Sequence, residues 1–222
     1  MRTKLMDREM PDYTKGEERF NMISHIVGGA IGVAALVLCI VRSALHHNGY
    51  GLAGSIVFGV SMILLYTMSS VYHGLRDGMG KRVLQVLDHC TIYVLIAGTY
   101  TPLLLSAMRP IDPVSSWGLL AVVWGLAAVA ITLTAIDLKR FRVVSMVLYI
   151  GMGWTILFRL PLLIQAVGWG GFALILAGGL CYTVGAVLYG MGKKKRYMHS
   201  VFHLFVIAGS VCHLLAILLY AL

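Results

Sequence analysis

The chain has 222 residues, of which 59% are hydrophobic and only 12% are charged, and its formal net charge at pH 7 is +9. Because a soluble domain carries roughly 25% charged residues, this composition excludes a soluble protein and indicates an integral membrane protein. The positive charge is divided among loops between apolar segments, which argues against a nucleic-acid-binding surface.

The predicted elements begin with a polar tail, residues 1–20, which lacks the basic-then-apolar layout of a cleavable signal. Residues 21–222 are predicted to form a single membrane domain with seven apolar segments. Each segment is close to the roughly 20 residues that a helix needs to cross the hydrocarbon core. The segments are residues 22–41, 52–72, 84–105, 116–136, 143–163, 171–190 and 199–220. The sequence therefore predicts an all-α bundle of seven transmembrane helices.

The distribution of lysine and arginine predicts the orientation of this bundle. Of the 18 such residues, all but three lie in the tail and in alternate loops; the exceptions are Arg42, Arg109 and Arg159. Because cytoplasmic loops carry an excess of these residues, the N-terminus is predicted to be cytoplasmic and the C-terminus outside. The basic loops are then expected to meet anionic lipid headgroups. The expected location is a membrane that the chain crosses several times.

Five polar residues fall at the predicted cytoplasmic end of three segments. Ser69 and His73 end segment two, Asp88 lies in the first turns of segment three, and His199 and His203 open segment seven. Residues four apart share one helix face, and two histidines at that spacing can hold one metal ion. Three imidazoles, with Asp88 reaching the metal directly or through a water, have the layout of a catalytic zinc site.

Each of these residues also has an ordinary structural interpretation. A single histidine at a membrane interface is more often a hydrogen-bonded residue than a metal ligand, and serine and threonine commonly bond between helices. A polar stripe through the bundle is predicted to line a water-filled cavity, unless its members serve such bonds. The stripe consists of Thr91, Thr99, Ser210 and His213. His25 either supports the metal site or faces lipid headgroups.

Four motifs occur in order along the chain. They are Glu18-x-x-Asn21-x-x-x-His25, Ser69-x-x-x-His73, Leu87-Asp88-His89 and His199-x-x-x-His203 followed by His213. Together they resemble the bacterial hemolysin III family, the prokaryotic branch of the progestin and adipoQ receptors, and the resemblance covers all seven segments. It implies a multi-pass protein of the inner membrane of a bacterium. It implies a zinc ion held by His73, His199 and His203, with Asp88 acting through a water and Ser69 nearby. Glu18, Asn21 and His89 are then expected around these ligands or in the cavity.

Several functions are compatible with such a site. The wider superfamily includes alkaline ceramidases, which hydrolyse lipid amides with an equivalent Ser, Asp and three His, so the resemblance implies a zinc-dependent hydrolase of a lipid amide or a similar acyl bond. In that reaction Asp88 orients or deprotonates water, and Ser69 bonds the developing oxyanion. The alternatives are a non-enzymatic regulator of membrane state with structural zinc, a cytolysin that permeabilises membranes, and a transporter. Membrane lipids are the expected partners, and His and Asp ligands also accept other divalent ions.

Overall fold

The computed structural model of the chain describes residue 5, residues 10–191 and residues 195–222. In these ranges the regular structure is helical and no strand occurs, which confirms the all-α prediction. Six helical stretches in the described residues are long and apolar enough to cross a membrane. The chain is therefore a multi-pass membrane protein. Five of the cations used to predict its orientation, Arg2, Lys4, Arg8, Lys193 and Lys194, lie outside the described residues.

Seven α-helices follow one another along the part of the chain that the structure describes. Two of them continue into π-helical turns, Leu103–Met108 and Ile217–Ala221, and a 3-10 stretch, Thr155–Arg159, joins the fifth helix to the sixth. The helices are α1 (Lys15–Leu45), α2 (Gly49–Gly74), α3 (Met79–Pro102), α4 (Pro113–Ile136), α5 (Arg142–Trp154), α6 (Leu160–Met191) and α7 (Met198–Ala216).

Helix α1 begins at Lys15, inside the predicted polar tail. Its start is fixed by a capping box: the Glu17 amide donates to Thr14 Oγ1 over 3.2 Å, and the Thr14 amide donates to Glu17 Oε2 over 2.9 Å. The early start matters because it makes Glu18, Asn21 and His25 helical. Residues at this spacing lie on one face of a helix, so the first turns of α1 present three polar side chains in one direction.

Predicted segments five and six lie in one apolar stretch, Arg142–Gly190. The structure therefore has six stretches where the sequence predicts seven segments. Two irregularities interrupt this stretch: the 3-10 turn after α5, and Gly168, whose φ of 65° and ψ of 176° are not helical. Positive φ is readily adopted by glycine, so the chain changes direction at Gly168 without a loop.

The helices pack closely on one side of α3 and loosely on the other. Helix α2 packs against both α1 and α3, and α6 packs against α7. At Gly54 the backbones come so near that an added Cβ would lie 2.6 Å from Pro102 Cα, which is a typical use of small residues between membrane helices. A cavity opens where α3 faces α5, α6 and α7. The candidate site lies at one end of this cavity.

Candidate metal centre

Three histidines converge at the end of the bundle where α2 ends and α7 begins. His73 lies in the last turn of α2, and His199 and His203 lie in the first two turns of α7. His199 Nε2 is 3.3 Å from His73 Nε2 and 3.0 Å from His203 Nε2. All three side chains are buried. One ligand nitrogen from each lies within 4.8 Å of the other two, so the group can hold a metal ion.

The spacing of these nitrogens suits a small divalent cation. Two imidazole nitrogens bound to one tetrahedral zinc ion at about 2.1 Å lie about 3.4 Å apart. The observed separations of 3.0 and 3.3 Å are close to this value. Each neutral imidazole carries only one proton, so three Nε2 atoms that face one another cannot all form good hydrogen bonds among themselves, and burying them without a cation is unfavourable. The residues therefore fit a metal, and imidazole ligands suit zinc as well as other first-row ions.

The carboxylate of Glu18 sets the tautomer of His73. Glu18 Oε2 lies 2.5 Å from His73 Nδ1, and Glu18 Oε1 accepts from Lys81 Nζ over 2.5 Å. Lys81 is itself 5% exposed and also donates to the Leu75 carbonyl over 3.1 Å. With its Nδ1 proton donated to a carboxylate, His73 directs the lone pair of Nε2 toward the other two histidines. This is the carboxylate–histidine pairing that orients ligands in metal sites.

Replacing Glu18 by glutamine should therefore weaken metal binding without removing it. We expect the affinity for zinc to fall about 10- to 100-fold, the usual effect of losing such an orienting partner. The affinity can be measured by competition with a chromogenic chelator in detergent. Asp77→Asn is the matched control, because Asp77 is an exposed acid 4.0 Å from Lys81 and makes no contact with His73 among the described interactions. Equal affinities for Glu18→Gln and the wild type would show that Glu18 does not orient the ligand.

Asp88 and Ser69 lie beside the histidine cluster rather than in it. Both line the cavity that also contains His199 and His203, but the Asp88 carboxylate is not part of the group of converging ligand atoms. Asp88 is half-buried, and the buried Ser69 hydroxyl faces the Asp88 carboxylate and has no other hydrogen-bond partner within the described part of the chain. The arrangement places a carboxylate and an adjacent hydroxyl on the wall next to the three imidazoles.

His25 and Asn21 extend the site along α1. The His25 ring stacks on that of His203, with centroids 3.6 Å apart and an interplanar angle of 12°. His25 is 3% exposed, so its ring packs inside the bundle beside His203. Asn21 Oδ1 accepts a hydrogen bond from the Ser200 hydroxyl over 2.7 Å, which ties α1 to α7 between the two histidines of that helix.

His89 and Thr91 are committed elsewhere. His89 Nδ1 donates to the Gln85 carbonyl over 2.8 Å, and its Nε2 lies 3.2 Å from the Tyr189 hydroxyl, so the ring lines the cavity without joining the cluster. The Thr91 hydroxyl donates to the backbone carbonyl of Asp88 over 2.8 Å. Thr91 is not among the residues that line the cavity. Its hydroxyl bonds within its own helix and does not contribute to a polar stripe along the cavity.

The cavity differs from the water-filled stripe that the sequence predicts. Its volume is about 150 Å³ and its walls are mainly apolar, with Leu95, Ile96 and Val206 among them. Ser210 does not line it, because the Tyr66 hydroxyl donates to Ser210 Oγ over 2.7 Å and the Tyr182 hydroxyl lies 2.8 Å from the same atom. His213 does line it, at the end away from the cluster. The space suits an apolar chain better than a column of water.

Two residues at the site escape the sequence motifs. The Tyr13 ring stacks on His199, with centroids 5.0 Å apart and an interplanar angle of 18°, and lies 5.8 Å from the His73 ring. Burial raises the pKa of Tyr13 far above its ordinary value, so the phenol is neutral and covers the outer side of the cluster. Lys81, the second, is counted among loop cations in the sequence, where its neighbours give no sign that it is buried.

Comparison with known proteins places these residues in a wider group. Residues 13–214 match a family described as Haemolysin-III related, a span that runs from Tyr13 through His213. The chain is 37% identical over 220 residues to hemolysin-3 of Bacillus cereus, covering 99% of this chain and 98% of that protein. It is 36% identical over 208 residues to the hemolysin-3 homolog of Bacillus subtilis strain 168, covering 94% of this chain and 96% of that protein. The human monocyte to macrophage differentiation factor is 26% identical over 200 residues, covering 83% of this chain and 79% of that protein.

Proposed function

The chain belongs to the haemolysin-III related family, and from this premise we propose that it is a zinc-dependent hydrolase of a lipid amide or a similar acyl bond. One observation carries the proposal: three buried imidazoles converge beside an apolar cavity, and the wall of that cavity holds two of them together with Asp88 and the Ser69 hydroxyl. A metal-binding group, a carboxylate and a hydroxyl in one such space are the parts that acyl hydrolysis needs.

The roles of the side chains follow from their positions. His73, His199 and His203 would hold the zinc ion, which would supply a Lewis acid for the carbonyl of the substrate. Asp88 lines the cavity beside them, accepts a proton from the attacking water and returns it to the leaving nitrogen or oxygen as the acyl bond breaks. Ser69 donates a hydrogen bond to the carbonyl oxygen as negative charge develops there. The apolar walls hold the acyl chain and keep bulk water away from the reacting bond.

The proposal includes a topology of seven spans with the N-terminus in the cytoplasm. The division of Arg142–Gly190 by the 3-10 turn and Gly168 supports two spans there, because 49 residues of helix are far longer than the roughly 20 that cross a bilayer. The distribution of Lys and Arg supports the orientation. In this topology the histidine cluster faces the cytoplasmic side of a bacterial inner membrane, and the basic loops contact anionic headgroups.

A regulator with structural zinc is the second candidate, and a specific observation favours it. The cluster and its supports join three helices: His73 from α2, His199 and His203 from α7, and Glu18 and Asn21 from α1. A metal there stabilises one arrangement of the bundle, which a ligand then shifts. Cytolysis, which the name of the Bacillus cereus relative indicates for that protein, is a third and separate proposal for this chain.

Turnover separates these functions. Purified protein should release free fatty acid from at least one member of a panel of N-acyl lipids, detected by mass spectrometry. A strong chelator should abolish the release, and added zinc should restore it, because the polarising cation is part of the machinery. Dye release from liposomes in parallel detects permeabilisation. If zinc-containing protein releases no fatty acid from any lipid of the panel, the result would favour the regulator. If it releases dye from liposomes but no fatty acid, the result would favour the cytolysin.

A further inference from the structure

His213 lies at the opposite end of the cavity from the metal centre. His213 follows His203 by ten residues on α7, which places it about 15 Å further along the helix axis. It is 9% exposed and lines the same cavity as the histidine cluster. An imidazole at this depth of a membrane bundle is expensive unless it has a partner. The proposed hydrolysis gives it no role.

The surroundings of His213 are shaped to hold its ring. Tyr182 stacks on it, with centroids 5.5 Å apart and an interplanar angle of 20°. On another side a Cβ added to Gly178 would lie 2.6 Å from His213 Nε2, so only glycine leaves room for the imidazole at this crossing of α6 and α7. The ring is thus fixed between two helices. Its Nδ1 nevertheless has no hydrogen-bond partner in the part of the chain that the structure describes.

Neighbouring polar side chains on the cavity wall are already committed to other partners. Thr99 donates to the Leu95 carbonyl over 2.8 Å. The Tyr100 hydroxyl lies 2.9 Å from two backbone carbonyls of α5, and Thr183 donates to the Gly179 carbonyl over 2.8 Å. A water molecule beside His213 needs two to four polar partners, and these neighbours offer few. An oxygen carried on a bound chain needs only one.

We propose that His213 is a binding point for a hydroxyl group in the middle of the acyl chain of the ligand. This inference rests on the proposed function, since it takes the reacting end of the lipid to lie at the histidine cluster. The apolar walls between the cluster and His213 hold the chain, and the His213 imidazole, which lines the cavity, recognises the hydroxyl about 15 Å away. The site therefore selects hydroxylated over plain acyl chains of the same length.

Competition binding tests the proposal without turnover. Stearic acid and 10- and 12-hydroxystearic acid are compared for their ability to displace a fluorescent fatty acid from zinc-loaded protein in detergent. At least one hydroxylated acid should bind about five- to tenfold more tightly, the ratio expected for one net hydrogen bond. In His213→Phe that preference should vanish while the affinity for stearic acid changes by less than about twofold, because an aromatic ring still fills the space. His213→Gln should keep part of the preference.

Thr99→Val is the matched control, since its hydroxyl is already bonded to its own helix, and it should retain the full preference. Equal binding of all three acids by the wild type, an undiminished preference in His213→Phe, or no binding of any acid would each overturn the proposal. The wild-type comparison decides it even if the variants fold poorly. If the protein hydrolyses lipid amides but does not prefer hydroxylated acids, only this inference fails. If it prefers hydroxylated acids but does not hydrolyse lipid amides, only the proposed activity fails.

Discussion

His203→Ala should purify almost without metal, whereas the wild type should carry about one zinc ion per chain. The loss follows from the geometry of the cluster, in which His203 Nε2 lies 3.0 Å from His199 Nε2. Removing it leaves two imidazoles from different helices, and a pair holds zinc far more weakly than three ligands with a water. Inductively coupled plasma mass spectrometry of protein purified without chelators measures the metal content directly.

His89→Ala is the control for this measurement. His89 lines the same cavity, but both ring nitrogens are engaged with Gln85 and Tyr189 outside the cluster, so this variant should retain the metal. If the wild type contains no metal, or if His203→Ala retains it, the proposed zinc site is wrong. Both the hydrolase proposal and the regulator proposal would then lose their metal. Because metal binding to the folded state is also folding free energy, the melting temperature of His203→Ala should fall and should no longer respond to added zinc.

The pairing of His199 with His203 could be predicted because it depends only on helical periodicity. Two residues four apart on one helix must share a face, and they do so at the start of α7. The approach of His73 needed a further premise, that α2 ends where α7 begins, which the alternation of charged loops supplied. The start of α1 was also accessible: Thr14-Lys15-Gly16-Glu17 has the spacing of a capping box, although the prediction placed these residues in a tail.

Lys81 shows why other parts of the site could not be predicted. Counting charges treats every loop cation as solvated, yet this lysine is buried against the Glu18 carboxylate. Such a pair forms because a buried acid needs a compensating charge, and which lysine supplies it depends on the packing of α1 against α2 and α3. No local pattern in the sequence records a contact between residues 63 positions apart.

The character of the cavity was hidden for a similar reason. A polar residue on an inward helix face can point into open space or bond to a neighbour, and periodicity does not distinguish the two. Ser210 bonds to Tyr66 and Tyr182, which withdraws all three polar groups from the space that the sequence predicts to be wet. The remaining wall is mainly apolar, and this feature favours a lipid chain over a column of water.

Asp88→Asn should abolish hydrolysis while leaving the metal in place. We expect the rate of fatty-acid release to fall about 1000-fold, within the range for loss of a general base. The zinc content should be unchanged, because the carboxylate lies outside the group of converging nitrogens. The two readouts are the initial rate with the best lipid amide and the metal content of the same preparation.

Ser69→Ala provides the comparison that separates chemistry from packing. Ser69 lines the same cavity, but its proposed role is a single hydrogen bond to the developing negative charge. Because only that hydrogen bond is lost in Ser69→Ala, the rate of hydrolysis should fall about 100-fold. Loss of zinc in Asp88→Asn would instead make Asp88 a direct ligand, and unchanged hydrolysis would remove it from the reaction. If both variants keep the metal, the fold and the full rate, the catalytic base lies elsewhere on the cavity wall. His25 is then the candidate, because it lines the cavity and neither of its ring nitrogens has a hydrogen-bond partner within the described residues.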